Sequence, residues 1–146
     1  MVEVHIDGVL LTPLCTIDAS GGNVMHGMKV NDPGYAGFGE AYFSVIEARA
    51  VKGWKRHRKM TLNLVVPIGA VRFVIHDDRS SSATHEKFQE VTLCKDNYQR
   101  LTVPPMVWLA FQGVSDLQNI LLNVASLEHD PNEVDRKSIH DIPFNW

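Results

Sequence analysis

Apolar residues along the chain fall in short runs rich in Val, Ile, Leu and aromatic side chains, separated by Gly, Pro, Asn and Asp. Short runs at even spacing with turn residues between them are the pattern of an all-β barrel or sandwich. The pattern predicts strands over Val2–Ile6, Val9–Leu14, Gly39–Ala48, Trp54–Val66, Ala70–Asp77, Phe88–Leu93, Tyr98–Val103, Val107–Gly113 and Leu117–Ser126. The breaks carry turn chemistry, as at Gly21-Gly22, Asp32-Pro33-Gly34, Pro67-Ile68-Gly69, Lys95-Asp96-Asn97 and Pro104-Pro105. No stretch sustains the 3.6-residue apolar period of an amphipathic helix. A short helix or turn is expected around Asn132–Arg136, within the polar stretch that follows Asp130. The Gly-rich segment from Asp18 to Gly39 reads as a loop over the barrel or an arm to a partner.

Composition narrows the class. The 146 residues are 45% hydrophobic and 21% charged, which suits one compact domain, residues 1–146, with a real core. A net charge of -3 excludes a strongly basic, nucleic-acid-binding chain as the first reading. No apolar run reaches the length of a membrane helix, and the opening MVEVHIDGVL lacks the basic start of a secretory signal. Two cysteines, Cys15 and Cys94, are expected as free thiols. A cytoplasmic domain without membrane or nucleic-acid partners is the expectation.

The segment from Trp54 to Val66 departs from ordinary packing. Read as one extended strand, it carries His57, Lys59, Thr61 and Asn63 on one face and Arg58, Met60, Leu62 and Leu64 on the other. The first face is either the solvated side of an edge strand or the polar lining of a barrel mouth, where small molecules bind. His57 is the one group in that row whose ordinary pKa lies near physiological pH. Around it lies the chain's basic cluster, Lys52, Lys55, Arg56, Arg58 and Lys59. Other chemistries lack their signatures: no GxSxG elbow, no GxxxxGK[ST] loop and no metal-ligand spacing.

The runs GWKRHRKMTLNLVVPIGAVRFVIHDDR, YQRLTVPPMVWLAFQGVSD and HDPNEVDRKSIHDIPFNW occur in this order between Gly53 and Trp146, within a stretch of likeness that covers about residues 36–146. Together they resemble the dTDP-4-dehydrorhamnose 3,5-epimerase family of the cupin superfamily. The matching elements are Lys55-Arg56-His57, Asp77-Asp78-Arg79, Val103–Trp108, and Ile139-His140-Asp141 with Trp146. The resemblance implies a cupin-type jelly-roll barrel, usually a homodimer. Its substrate would be a nucleotide-diphosphate 4-keto-6-deoxy sugar of surface polysaccharide biosynthesis, handled without metal or redox cofactor.

The resemblance also assigns roles. The base would be His57, oriented by Asp141, taking a proton from a carbon beside the ketone. The developing enolate needs a cation. The family's lysine position falls near Leu62 or Asn63, which leaves Lys59, on the His57 face, for that part. The family's tyrosine acid finds Leu122 or His129, so Tyr42 and His129 are the candidate acids. Lys55 and Arg56 would read the diphosphate, and Thr61, Asn63 and Asn123 would complete the substrate contacts. A second similarity, of NILLNVAS to the sugar-nucleotide 3,4-ketoisomerases, keeps that reaction open, as well as a sugar-nucleotide-binding cupin without catalysis.

Overall fold

A computed structural model describes residues 3–146, and the Val2 end of the first expected strand lies outside them. Among the described residues twelve short strands form: β1 (Leu10–Pro13), β2 (Thr16–Ile17), β3 (Val24–Met25), β4 (Glu40–Ile46), β5 (Val51–His57), β6 (Leu62–Ile68), β7 (Ala70–His76), β8 (Phe88–Cys94), β9 (Gln99–Val103), β10 (Trp108–Gly113), β11 (Asn119–Ala125) and β12 (Val134–Arg136). Two five-stranded antiparallel sheets, β1-β9-β6-β11-β4 and β12-β5-β10-β7-β8, make the jelly-roll barrel, and β2 pairs with β3 as a separate ribbon. Among the described residues the one helical element is a 3-10 turn, Pro131–Glu133.

Alternation along each strand sorts side chains between the barrel interior and its outer faces. On β7, Val71, Phe73 and Ile75 enter the interior core with Leu64, Leu101, Leu109 and Leu121. The intervening Val74 joins Trp54, Trp108, Ala110 and Ile142 in a second core on the outer face of its sheet, where Phe144 and Trp146 pack against it. A covered outer face explains why β7 and β10 read as nearly continuous apolar runs.

The other sheet is covered by the segment leading into β4. The fully buried Arg100 donates to the carbonyls of Gly27 (2.9 Å) and Pro33 (2.8 Å) and meets the Asp32 carboxylate at 3.3 Å. Asn63 Nδ2 donates to the Gly34 carbonyl at 3.0 Å. The Gly-rich segment therefore lies over the barrel in part, and its beginning folds back so that β3 pairs with β2 just before it, a ribbon that the strand pattern does not foresee.

Three further differences matter for function. Residues 4–6 are not in a strand. The expected strand Trp54–Val66 is two strands in different sheets, broken over residues 58–61. The break has a cause: Glu133 accepts the Lys59 and Met60 amides on its carboxylate and the Arg58 amide on its carbonyl. Finally, the polar stretch after Asp130 is a single turn that feeds β12.

Candidate active site

A cavity of about 490 Å³ opens between the sheets, with walls from β4, β5, β6, β10, β11 and β12. Strand register decides which side chains reach it, because residues directly opposite on neighbouring strands share a face. Leu109 and Phe111 of β10 face inward and lie opposite Lys55 and Lys52 of β5. The register slips between these two pairs, and the resulting bulge puts Lys52 on the same side as Lys55 and His57. Gly53 permits it: φ is +148°, and a Cβ there would stand 2.5 Å from the Ala110 Cβ. On the far side of β5, β12 sets Val134 opposite His57 and Arg136 opposite Lys55. On the other sheet Asn123 lies opposite Tyr42. All of these inward groups line the cavity, as do His129, Lys137 and an apolar set that includes Leu62, Leu64 and Leu121.

His57 is held at one nitrogen. Its Nδ1 donates a short hydrogen bond to Glu133, which is 5% exposed and already accepts two backbone amides. Burial works to raise the Glu133 carboxyl. The hydrogen bonds from His57, Lys59 and Met60, with the charge on His57, nonetheless hold it below the ordinary carboxylate range. An ionised Glu133 accepts the hydrogen bond from Nδ1–H, so in the neutral imidazole it is Nε2 that carries the lone pair. The pair has the arrangement that a base with an orienting carboxylate would need.

This corrects the expected partner. Asp141 accepts the Ser138 amide at 2.9 Å in an exposed turn and makes no hydrogen bond to His57. Glu133 carries a readable cue, because Asp130-Pro131 caps the turn that delivers it, but no sequence pattern says which tail carboxylate meets the imidazole.

The cations are also redistributed. Lys55 faces the cavity, and burial, then repulsion from Arg136 and Lys52, pushes its ammonium down from the usual lysine value. Arg56 points the other way. It binds Asp135 at 2.8 Å and Asp78 at 3.2 Å, and stacks over Trp108 at 4.8 Å. Lys59 is exposed and does not line the cavity; its amide serves Glu133. Lys52, Arg136 and Lys137 join the wall instead, none of them among the substrate contacts expected from the sequence.

Two expected polar contacts lie elsewhere. Thr61 sits in the turn after β5, its amide donating to Ser126 Oγ at 2.9 Å. Asn63 faces outward under the covering segment, accepting from Thr102 Oγ1 at 2.6 Å. Asn123, Tyr42 and His129 do line the cavity. Among the described residues no cluster of three or more His, Cys, Asp or Glu is placed to hold a metal ion, and both cysteines are unbridged. None of the described helices is long and apolar enough to cross a membrane.

No family model matches the chain. The spore coat polysaccharide biosynthesis protein SpsL of Bacillus subtilis is 24% identical over 113 residues, 75% of each chain. The crystal structure of a dTDP sugar isomerase from Desulfovibrio desulfuricans superposes with a TM-score of 0.92 and 38% identity, over 97% of this chain and 92% of that one. ChmJ, a 3'-monoepimerase from Streptomyces bikiniensis solved in complex with dTDP-quinovose, superposes with a TM-score of 0.87 over 100% of this chain and 78% of its own. At 16% identity that likeness speaks to the fold alone. The level of identity to the dTDP sugar isomerase, sustained along nearly the whole chain on a shared jelly roll, shows that this protein belongs to the dTDP-4-dehydrorhamnose 3,5-epimerase-like family of the cupin superfamily, an isomerase-type enzyme family of nucleotide sugars.

Proposed function

We propose that the protein epimerises a nucleotide-diphosphate 4-keto-6-deoxy sugar for surface polysaccharide synthesis, with His57 as the base. The observation that carries this reading is the Glu133–His57 pair on the cavity wall. With Nδ1 committed to Glu133, Nε2 takes the proton from a carbon next to the C4 ketone, and the carboxylate stabilises the imidazolium that forms. The electrons move onto the ketone oxygen as an enolate. Lys55, on the same inward face as His57, is the nearest ammonium along the strand to stabilise it. Lys52 and Arg136 flank Lys55, and neither forms an ion pair among the described residues. Unpaired cations at a cavity wall suit a diphosphate. The proton must return on the opposite face, and Tyr42 and His129 are the groups available.

The test is a panel of nucleotide 4-keto-6-deoxy sugars incubated with the enzyme in heavy water. Deuterium beside the ketone, with inversion at that carbon, is expected. The name of the 38%-identical relative, a dTDP sugar isomerase, favours one second reading, 3,4-ketoisomerisation. That reaction begins with the same proton abstraction but leaves the carbonyl on the neighbouring carbon, which carbon NMR of the product distinguishes.

We propose in addition that two copies associate through the outward face of β4. It is an edge strand whose Phe43 and Val45 are 68% and 61% exposed. A bare apolar edge invites pairing, and a self-complementary twofold contact is the commonest way to cover one.

A further inference from the structure

From the pairing of β11 with β4 we infer that Asn123 is a positioning residue, holding the phenol of Tyr42 as the acid that completes inversion. The inference rests on the proton-abstraction reading above and adds to it the second proton carrier and the residue that sets it.

Asn123 is 3% exposed, and its Nδ2 donates to the Tyr42 phenol oxygen at 3.1 Å. Its Oδ1 is buried with no hydrogen-bond partner among the described residues. An asparagine kept for structure pairs both ends of its amide, because an unpaired buried polar atom is costly. Here the paired end is the one that meets Tyr42. Since Nδ2 donates, the phenol oxygen is the acceptor, and its own proton is free to point away from Asn123. Tyr42 is 43% exposed and lines the cavity, so that proton has the cavity to enter.

The placement suits inversion. His57 stands on β5 of one sheet and Tyr42 on β4 of the other. A base and an acid on the two sheets that enclose a ligand approach it from different sides. In the closing step the Tyr42 O–H bond breaks and a C–H bond forms at the carbanion carbon, while the enolate collapses to the ketone. The O–H electron pair stays on the phenol oxygen as a phenolate, which the Asn123 Nδ2–H stabilises. His57 still holds the first proton as imidazolium. Through the open cavity it releases that proton to water and the phenolate takes one from water, which restores the enzyme. His129 lines the same cavity but is exposed and has no hydrogen bond among the described residues to fix its ring.

The test separates deuterium incorporation, which needs the base, from inversion, which needs the acid. With a 4-keto substrate in heavy water, Tyr42→Phe should keep incorporation but lose inversion by at least about 100-fold, the scale of a general acid. Asn123→Ala should lower the inversion kcat about tenfold with KM unchanged, as expected for one hydrogen bond lost from the transition state. In the Tyr42→Phe background Asn123→Ala should cost no further inversion, because its partner is already gone. A merely structural asparagine would lower incorporation and inversion together, and would cost as much in that background as alone; either result overturns the proposal. Inversion at the wild-type rate in Tyr42→Phe, or its loss in His129→Ala alone, also overturns it. Wild-type enzyme that incorporates no deuterium from any 4-keto sugar overturns both this proposal and the reading beneath it, whereas incorporation that survives in Tyr42→Phe with inversion intact overturns this one only.

Discussion

In the proposed mechanism Glu133 joins catalysis to folding in one side chain. It holds the Nδ1 proton of His57 and, through the Lys59 and Met60 amides, the turn that ends the base strand. Glu133→Gln keeps the size but loses the charge that fixes the tautomer and steadies the imidazolium, so turnover should fall about 100-fold or more with the fold intact. Steady-state kinetics beside a thermal melt checks it, and unchanged turnover would remove Glu133 from the proposed machinery. At this scale the sequence was half legible. His57 stood out as the titratable group in a polar row, but alternation along a continuous strand put Lys59 beside it, and the bulge at Gly53 and the break after His57 changed the company it keeps. Neither is visible in an apolar-polar pattern. The choice of Glu133 over Asp141 depends on how a single turn aims a side chain, which spacing does not encode.

At the scale of elements, β12 is the edge strand that brings Arg136 and Lys137 toward the cavity and Glu133 toward the base. It is fastened to β5 by Asp135, whose carboxylate binds Arg58 at 2.6 Å and Arg56 at 2.8 Å. Hydrogen bonds from Arg58 and then Arg56 hold the Asp135 carboxyl down at about 2. The folded value lies below the ordinary aspartate value of about 3.9, so this contribution to stability is fully present above that value. It is lost as pH falls through the folded value. The melting temperature should therefore drop between about pH 4 and 2, and Asp135→Asn should lower it at neutral pH and flatten that part of the curve. An identical pH profile in the variant would show that β12 is fastened by something else. Most strands were legible because each has one face in a core and turn residues at its ends. β12 and the β2–β3 ribbon were not, because strands of two or three residues are too short for a periodic signal.

The barrel is two five-stranded sheets, each covered outside by a segment without strand periodicity. Arg100, itself fully buried, holds one cover by donating to the Gly27 and Pro33 carbonyls, so Arg100→Leu should take away their donor and cost about 2–4 kcal/mol in urea unfolding. A loss within about 0.5 kcal/mol would mean the segment is held without it. A sequence reader sees Arg100 as one more cation, since nothing local marks it as buried. The exposed face of β4 leads to the expectation that the wild type sediments as a dimer and that Phe43→Glu sediments as a monomer. A monomeric wild type would contradict the proposed contact.

All of these scales meet in one claim, that a histidine oriented by Glu133 removes a proton beside a sugar ketone. Its most direct test compares wild type and His57→Ala in heavy water with the nucleotide 4-keto-6-deoxy sugar that the wild type turns over, following deuterium by mass spectrometry. Wild type should label the carbon beside the ketone, and His57→Ala should label it no faster than buffer while still binding the nucleoside diphosphate. Label entering at the wild-type rate in His57→Ala would contradict the account.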